Sequence, residues 1–255
     1  MKAMILAAGL GTRLRPLTDD RPKALVEIAG CTLLEITLRR LHSFGIRDVI
    51  VNVHHFADMI VEYLRANDQF GMQIEISRED ELLDTGGGLK KAAHFFLRDS
   101  ADEPFVVHNV DVLSAIDLEQ MASFHREQHA LATLAVQQRK SSRYLLFDAQ
   151  PNQLQLCGRR TAGKADEVVR TAVQAQPWGF AGIHVISPRI FGSLGQAFIG
   201  ENGSQAFSII PEYLRLASEG EKILGFRADG SYWRDLGTPA NLEQAAKDME
   251  QKVFE

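Results

Sequence analysis

Through the first 110 residues the apolar positions form short unbroken runs, and between the runs they recur at helical spacing. Lys2–Ala7 is a strand-like run. Thr32–Phe44 (TLLEITLRRLHSF) repeats apolar residues every three or four positions and meets Gly45, a helix followed by a stop signal. Asp48–Val53 (DVIVNV) is β-branched and predicts a strand. The same reading gives a helix over Ala57–Ala66, a strand over Met72–Ser77, a helix over Gly87–Leu97 and a strand over Pro104–Asn109 (PFVVHN). Strands without polar alternation are buried on both faces, which requires helices on both sides of a sheet. Repeated β-α-β units join parallel strands through right-handed crossovers. The expected fold class is α/β: an open, doubly wound, mixed but mostly parallel sheet flanked by helices. Such sheets bind ligands beyond the carboxyl ends of their strands, so the loop Gly9–Lys23, after the first strand, lies at the binding edge.

The rhythm then changes. Leu131–Gln137, Tyr144–Asp148 and Phe180–Ile186 (FAGIHVI) predict strands, Ser208–Ala217 and Pro239–Gln251 predict helices, and Gly158–Gln176 is polar and irregular. With no repeat, linker or low-complexity tract, residues 1–255 are read as one domain whose second half extends the sheet and covers the site.

Composition changes this picture little. The chain is 45% hydrophobic and 24% charged, ordinary for a soluble globular protein. A net charge of −5 gives no general attraction to nucleic acid or to an anionic membrane, so any anion site must be built locally. The two cysteines, Cys31 and Cys157, have no metal or redox spacing and read as free thiols in a reducing cytosol. The apolar run at the N-terminus is too short for a signal peptide, and no stretch reaches transmembrane length. The expected location is cytoplasmic.

The local anion site is AAGLGTRLRPLTDDRPKAL. It is not a P-loop, which needs GxxxxGK[ST]. It is not a dinucleotide fingerprint either, because Leu14 stands where GxGxxG needs its last glycine. What it offers is a backbone able to approach phosphate oxygens at Gly9 and Gly11, a hydroxyl on Thr12, a planar cation on Arg13, and Lys23 behind the stiff Pro22.

This string resembles the opening motif of the sugar-1-phosphate nucleotidyltransferases, or nucleotide-sugar pyrophosphorylases, and the resemblance runs over most of the chain. It implies a Rossmann-like nucleotide-diphospho-sugar transferase fold, with residues 1–110 as a nucleotide-binding half and 111–255 as a sugar-phosphate-binding half. It also implies transfer of a nucleoside monophosphate from a triphosphate to a sugar 1-phosphate, with release of pyrophosphate and with Mg²⁺ as cofactor. Leu6, Ala7, Ala8, Gly9, Gly11, Thr12, Arg13 and Lys23 would then bind the nucleotide. Thr85-Gly86-Gly87 in LLDTGGGLKKA resembles the base and ribose loop, with Glu79 as a further base contact. VVHNVDVL matches the N-x-D motif, giving Asn109 to the sugar phosphate and Asp111 to the metal. The chain departs from that motif at Val110 and His108. SYWRDLGTP matches W-x-D-[IVL]-G-[TD]-P and gives Asp235 as the partner metal ligand. Thr238 and Pro239 there also read as a helix start. FAGI supplies Gly182 to the sugar pocket, and Gly158 is a further candidate.

Arg13, Lys23 and Asp111 are thus the expected catalytic residues. The reacting phosphate is already an anion and needs no general base, in keeping with a chain that shows no nucleophile–base motif. HHFADMIVEYL and LLDTGGGLKKA look closest to N-acetylmuramate-1-phosphate uridylyltransferases, ahead of mannose- or heptose-1-phosphate guanylyltransferases, so UTP is favoured over GTP. A non-catalytic nucleotide-sugar-binding regulator and a transferase acting on phosphocholine or another alcohol phosphate are the alternatives. The sequence leaves the oligomeric state open.

Overall fold

The computed structural model describes residues 1–98, 102–150, 153–194 and 205–251. Strand β1 (Ala3–Leu6) leads through the glycine loop and a small hairpin, β2 (Glu27–Ile28) and β3 (Cys31–Thr32), into α1 (Leu33–Ser43). There follow β4 (Asp48–Val53), α2 (Ala57–Ala66), β5 (Gln73–Arg78), α3 (Asp84–Lys91), α4 (Ala93–Leu97) and β6 (Phe105–Asn109). Next come β7 (Val112–Ser114), α5 (Leu118–Glu127), β8 (Ala132–Gln137), β9 (Arg143–Gln150), β10 (Gln153–Thr161), β11 (Glu167–Val168) and β12 (Ala175–Ile186). The last elements are α6 (Ile209–Ser218), β13 (Ile223–Arg227), β14 (Trp233–Asp235) and α7 (Pro239–Glu250).

Ten strands form one mixed sheet in the order β11-β10-β13-β8-β12-β6-β1-β4-β5, with β9 paired to both β10 and β12. The parallel order is that of the first half, where β1 pairs with β4 and β6, and β4 with β5. The second half adds one more parallel pair, β8 with β13, and otherwise antiparallel pairs. Apolar runs on central strands divide between the two faces. Ala3, Ile5, Val49, Val51 and Val53 pack with α1, α2, α5 and α7, whereas Met4 and Ile50 pack with α3, α4 and α6. Both sides of the sheet are therefore dry, which explains the unbroken runs.

Several sequence readings need correction. The polar stretch after Gly158 is not irregular throughout. Residues up to Thr161 continue β10, and β12 begins at Ala175. Both belong to a twisted antiparallel arm whose outer positions face water, so their polar residues hid the strand pattern. The helix expected over Gly87–Leu97 is two helices broken at Ala92. Helix α5 and strand β13 were not anticipated. Helix α7 starts as expected: Pro239 occupies its first turn, and the Thr238 hydroxyl accepts the Asn241 N–H at 3.3 Å.

Strand β12 pairs with β9 at its start and with β6 and β8 at its end, and it changes register between Phe180 and His184. Gly182 lies in this bulge at φ 73°, a left-handed conformation that favours glycine.

Candidate active site

The loop after β1 folds back on itself around Gly11. Its carbonyl accepts the Leu14 N–H at 2.8 Å and the Thr18 hydroxyl at 3.0 Å. Its φ of 66° suits glycine, and a Cβ there would lie 3.0 Å from Thr18 Cγ2 and 3.1 Å from Lys23 Cβ. Leu14, fully buried, plugs the loop into the core. Anchored in this way, Arg13 and Lys23 project from a fixed turn.

Leu6, Ala7, Gly9, Gly11, Thr12, Arg13, Lys23 and Asp111 line one cavity of about 230 Å³. Ala8 is buried beside it and is not part of the wall. Lys23 forms an ion pair with Asp111. Its 8% exposure leaves the ammonium little water, so the carboxylate supplies its compensation. The last strand delivers Asp235. Among the described residues strand β14 pairs only with β7 and sets Asp235 opposite Val112, while the Leu236 N–H donates to the Asp111 carbonyl at 2.8 Å. Asp111, in the turn that leads into β7, and Asp235, at the end of β14, are thus brought side by side, although 124 positions separate them. Asp235 Oδ1 accepts the Gly237 N–H at 3.0 Å and faces Arg13 Nη1 at 3.9 Å. A Cβ on Gly237 would sit 2.4 Å from Arg13 Nη2, so glycine there leaves room for the guanidinium.

A second cavity, of about 820 Å³, has Arg13 and Asp235 in its wall. Asn109, Gly182 and Trp233 line it. Gly182 approaches Asn109 closely: a Cβ would meet Asn109 Nδ2 at 2.9 Å. The bulge in β12 therefore makes space for the Asn109 amide.

Other expected residues lie elsewhere. Glu79 is 4% exposed, and both of its carboxylate oxygens are engaged, by Asn52 Nδ2 at 2.7 Å and by the Leu83 N–H at 3.0 Å. Asn52 Oδ1 in turn accepts the Ala7 N–H at 2.8 Å. In this arrangement Glu79 braces the loop through Asn52. Gly86 and Gly87 are buried too, and Thr85 is half-buried. The Gly86 and Gly87 amides both donate to the Phe207 carbonyl, and Thr85 Oγ1 accepts the Ile209 N–H at 2.9 Å. Those glycines permit close packing, since a Cβ on Gly86 would lie 2.3 Å from the Phe207 ring. Gly158 serves the contact between β10 and β11, where a Cβ would lie 2.4 Å from the Glu167 carbonyl oxygen, and it lines neither cavity.

Sequence reasoning missed Asn52. Its signal was a single amide inside the apolar run DVIVNV. It also missed Arg139, whose guanidinium lies 3.9 Å above the Trp233 ring. His54 Nδ1 bonds the Glu79 carbonyl, and the His55 ring meets the Phe56 ring at a tilt of 48°. Among the described residues no group of three or more His, Cys, Asp or Glu is placed to hold a metal, and no helix is long and apolar enough to cross a membrane. Cys31 and Cys157 are unpaired.

The nucleotidyl transferase family profile matches residues 2–252. An N-acetylmuramate α-1-phosphate uridylyltransferase from Caulobacter vibrioides is 35% identical over 252 residues, covering 93% of this chain and 92% of the relative. A mannose-1-phosphate guanylyltransferase from Mycobacterium tuberculosis is 31% identical and covers 97% of this chain, which spans 64% of that protein. A UDP-glucose pyrophosphorylase solved with UDP-glucose superposes with a TM-score of 0.77 over 98% of both chains, at 17% identity, a likeness of fold.

Proposed function

The chain belongs to the nucleotidyl transferase family, and from that premise we propose how its residues divide the reaction. The enzyme transfers a nucleoside monophosphate from a nucleoside triphosphate to a sugar 1-phosphate and releases pyrophosphate. The observation that carries the residue assignment is the junction of the two cavities, where Arg13 and Lys23 meet Asp111 and Asp235. The smaller cavity would take the triphosphate, with loop amides and Arg13 on the phosphates that leave and Lys23 beside the α-phosphate. The larger one would take the sugar 1-phosphate, with its phosphate near Asn109. A sugar-phosphate oxygen attacks the α-phosphorus in line, and the bond to pyrophosphate breaks. The nucleophile is already ionised at neutral pH, so no side chain has to remove a proton. Catalysis rests on holding two polyanions in line and balancing their charge.

Two carboxylates, one from the turn before β7 and one from the paired strand β14, suit Mg²⁺, which takes hard oxygen donors, usually one or two carboxylates together with substrate phosphates. Asp111 and Asp235 would hold it, and when bound it would supply further neutralisation of the phosphate oxygens. We assign UTP as the nucleotide, because the uridylyltransferase relative matches along nearly the whole of both chains. A cytoplasmic location accords with this substrate.

The test is pyrophosphate release from four nucleoside triphosphates against a panel of sugar 1-phosphates, with and without Mg²⁺. Turnover with UTP that needs both Mg²⁺ and a sugar 1-phosphate is expected. Faster turnover with GTP would reverse the base assignment, and undiminished turnover in excess chelator would remove the metal.

A further inference from the structure

Position 108, where the chain departs from the N-x-D motif it resembles, puts a histidine in a place suited to an apolar side chain. Side chains alternate along β6, so His108 shares a face with Val106, which belongs to the core beneath α1. His108 is 1% exposed. Burial pushes its imidazole down to about 4, and the guanidinium of Arg40 on α1 acts in the same direction against the weaker pull of Asp111. The ring is therefore neutral at neutral pH and carries one N–H.

That N–H has an identifiable place. Nδ1 lies 2.8 Å from the Asn109 carbonyl oxygen, which can only accept, so Nδ1 bears the proton and donates. Nε2 is left as a bare lone pair, buried and without a partner. An unpaired buried acceptor destabilises a fold, and leucine or valine would avoid it. What histidine adds over those residues is the bond to Asn109.

The bond falls where the sheet stops supporting the strand. The Val110 N–H donates to the Leu6 carbonyl on β1 at 3.2 Å. In a trans peptide the C=O and the N–H point opposite ways, so the Asn109 carbonyl points away from β1 and toward β12. Regular pairing with β12 ends one residue earlier, at His108 with Ile183, and Gly182 lies in the bulge beyond. A side chain thus holds the peptide at the end of the ladder. Turning that peptide would turn the Asn109 backbone and swing its amide, which lines the larger cavity.

We propose that His108 is a positioning residue for the acceptor: its Nδ1–H fixes the peptide after Asn109 and so aims the Asn109 amide at the phosphate of the sugar 1-phosphate. The inference rests on the reading above that gives Asn109 to that phosphate.

Three substitutions separate the bond from the burial. His108→Asn sets an amide nitrogen where Nδ1 lies and keeps the donor. His108→Gln sets its amide at the distance of Nε2, and His108→Leu removes both polar atoms. Steady-state kinetics in each substrate are measured beside thermal melts. The leucine and glutamine variants should lose about tenfold or more in kcat/KM for the sugar 1-phosphate, the scale of a misaimed contact, while KM for the nucleoside triphosphate stays the same. The asparagine variant should remain within about threefold of wild type. The leucine variant should melt at or above the wild-type temperature, since the unpaired acceptor is gone. In an Asn109→Ala background His108→Leu should cost no further activity.

Equal losses in the asparagine and glutamine variants overturn the proposal, and that comparison decides alone where the leucine variant does not fold. Wild-type rates in the leucine variant overturn it too, as does an additive double variant. A leucine variant that melts lower and regains its rate on cooling makes His108 a core residue only, which also defeats the proposal. These results leave the transferase reading intact provided Asn109→Ala by itself slows turnover of the sugar 1-phosphate. Wild-type turnover by Asn109→Ala removes Asn109 from the acceptor site, and the inference falls with it.

Discussion

Lys23 and Asp111, 88 positions apart, form an ion pair at the floor of the glycine loop. Each makes the other tolerable in a place with little water, and each faces the cavity assigned to the triphosphate. Asp111→Asn should lower kcat about 10²-fold or more, the scale for losing one charged contact to a transition state. It should also cost roughly 1–3 kcal/mol of stability, because the buried ammonium loses its counter-charge. Lys23→Ala should lower kcat more than it raises KM. The double variant Lys23→Met with Asp111→Asn should regain stability in urea titrations and stay inactive. Recovery of activity in that double variant would remove both residues from the chemistry.

Gly237 gives Arg13 its room. Gly237→Ala puts a methyl where the guanidinium now lies, 2.4 Å from Nη2. Arg13 is an exposed, flexible side chain and will move away, so melting temperature should change little. The KM for the nucleoside triphosphate should rise about tenfold, the scale of one displaced charge-assisted contact. Steady-state kinetics beside a thermal melt separate the two effects.

Gly88 guards the brace under the loop. A Cβ there would meet Glu79 Oε1 at 2.7 Å and Asn52 Nδ2 at 2.9 Å, and neither group can swing out of the core. Gly88→Ala should destabilise the protein by roughly 1–3 kcal/mol. It should also weaken triphosphate binding, because Asn52 holds the Ala7 amide. Isothermal titration with a non-hydrolysable triphosphate tests the second effect.

Buried histidines give the stability an acid dependence. Burial pushes His184 down to about 3 and His108 and His125 down to about 4. The unfolded chain takes up these protons near pH 6.5, whereas the folded chain refuses them, so stability falls as pH drops below about 6.5 toward the folded values. His184 alone should account for about 2 kcal/mol between pH 6.5 and 5. His184→Gln, which can keep a hydrogen bond to Tyr213, should flatten the slope of urea midpoints against pH by that amount.

The legible parts of this molecule were those governed by local rules. Apolar runs gave the parallel strands, spacing and stop signals gave α1 and α2, and Thr238-Pro239 gave the start of α7. The glycine loop and the two aspartates were legible as residue types in a pattern, and their meeting needed the pairing of β7 with β14. What stayed hidden depends on distant packing. The same glycine string that suggests an open platform is what lets residues 205–207 press against α3. Glu79 looked available because nothing nearby in sequence announced Asn52 as its partner. Arg139 went unread because its stacking partner, Trp233, stands 94 positions away.

The short pairing of β14 with β7 has a consequence for biogenesis. One acidic arm of the centre is made 124 residues before its counterpart, and main-chain bonds between three-residue strands help bring them side by side. A nascent chain still threading residue 235 through the ribosome can already own a seat for the nucleotide, yet it has half of its acidic pair. Catalytic competence should therefore wait until residue 235 has left the ribosome and β14 has paired with β7.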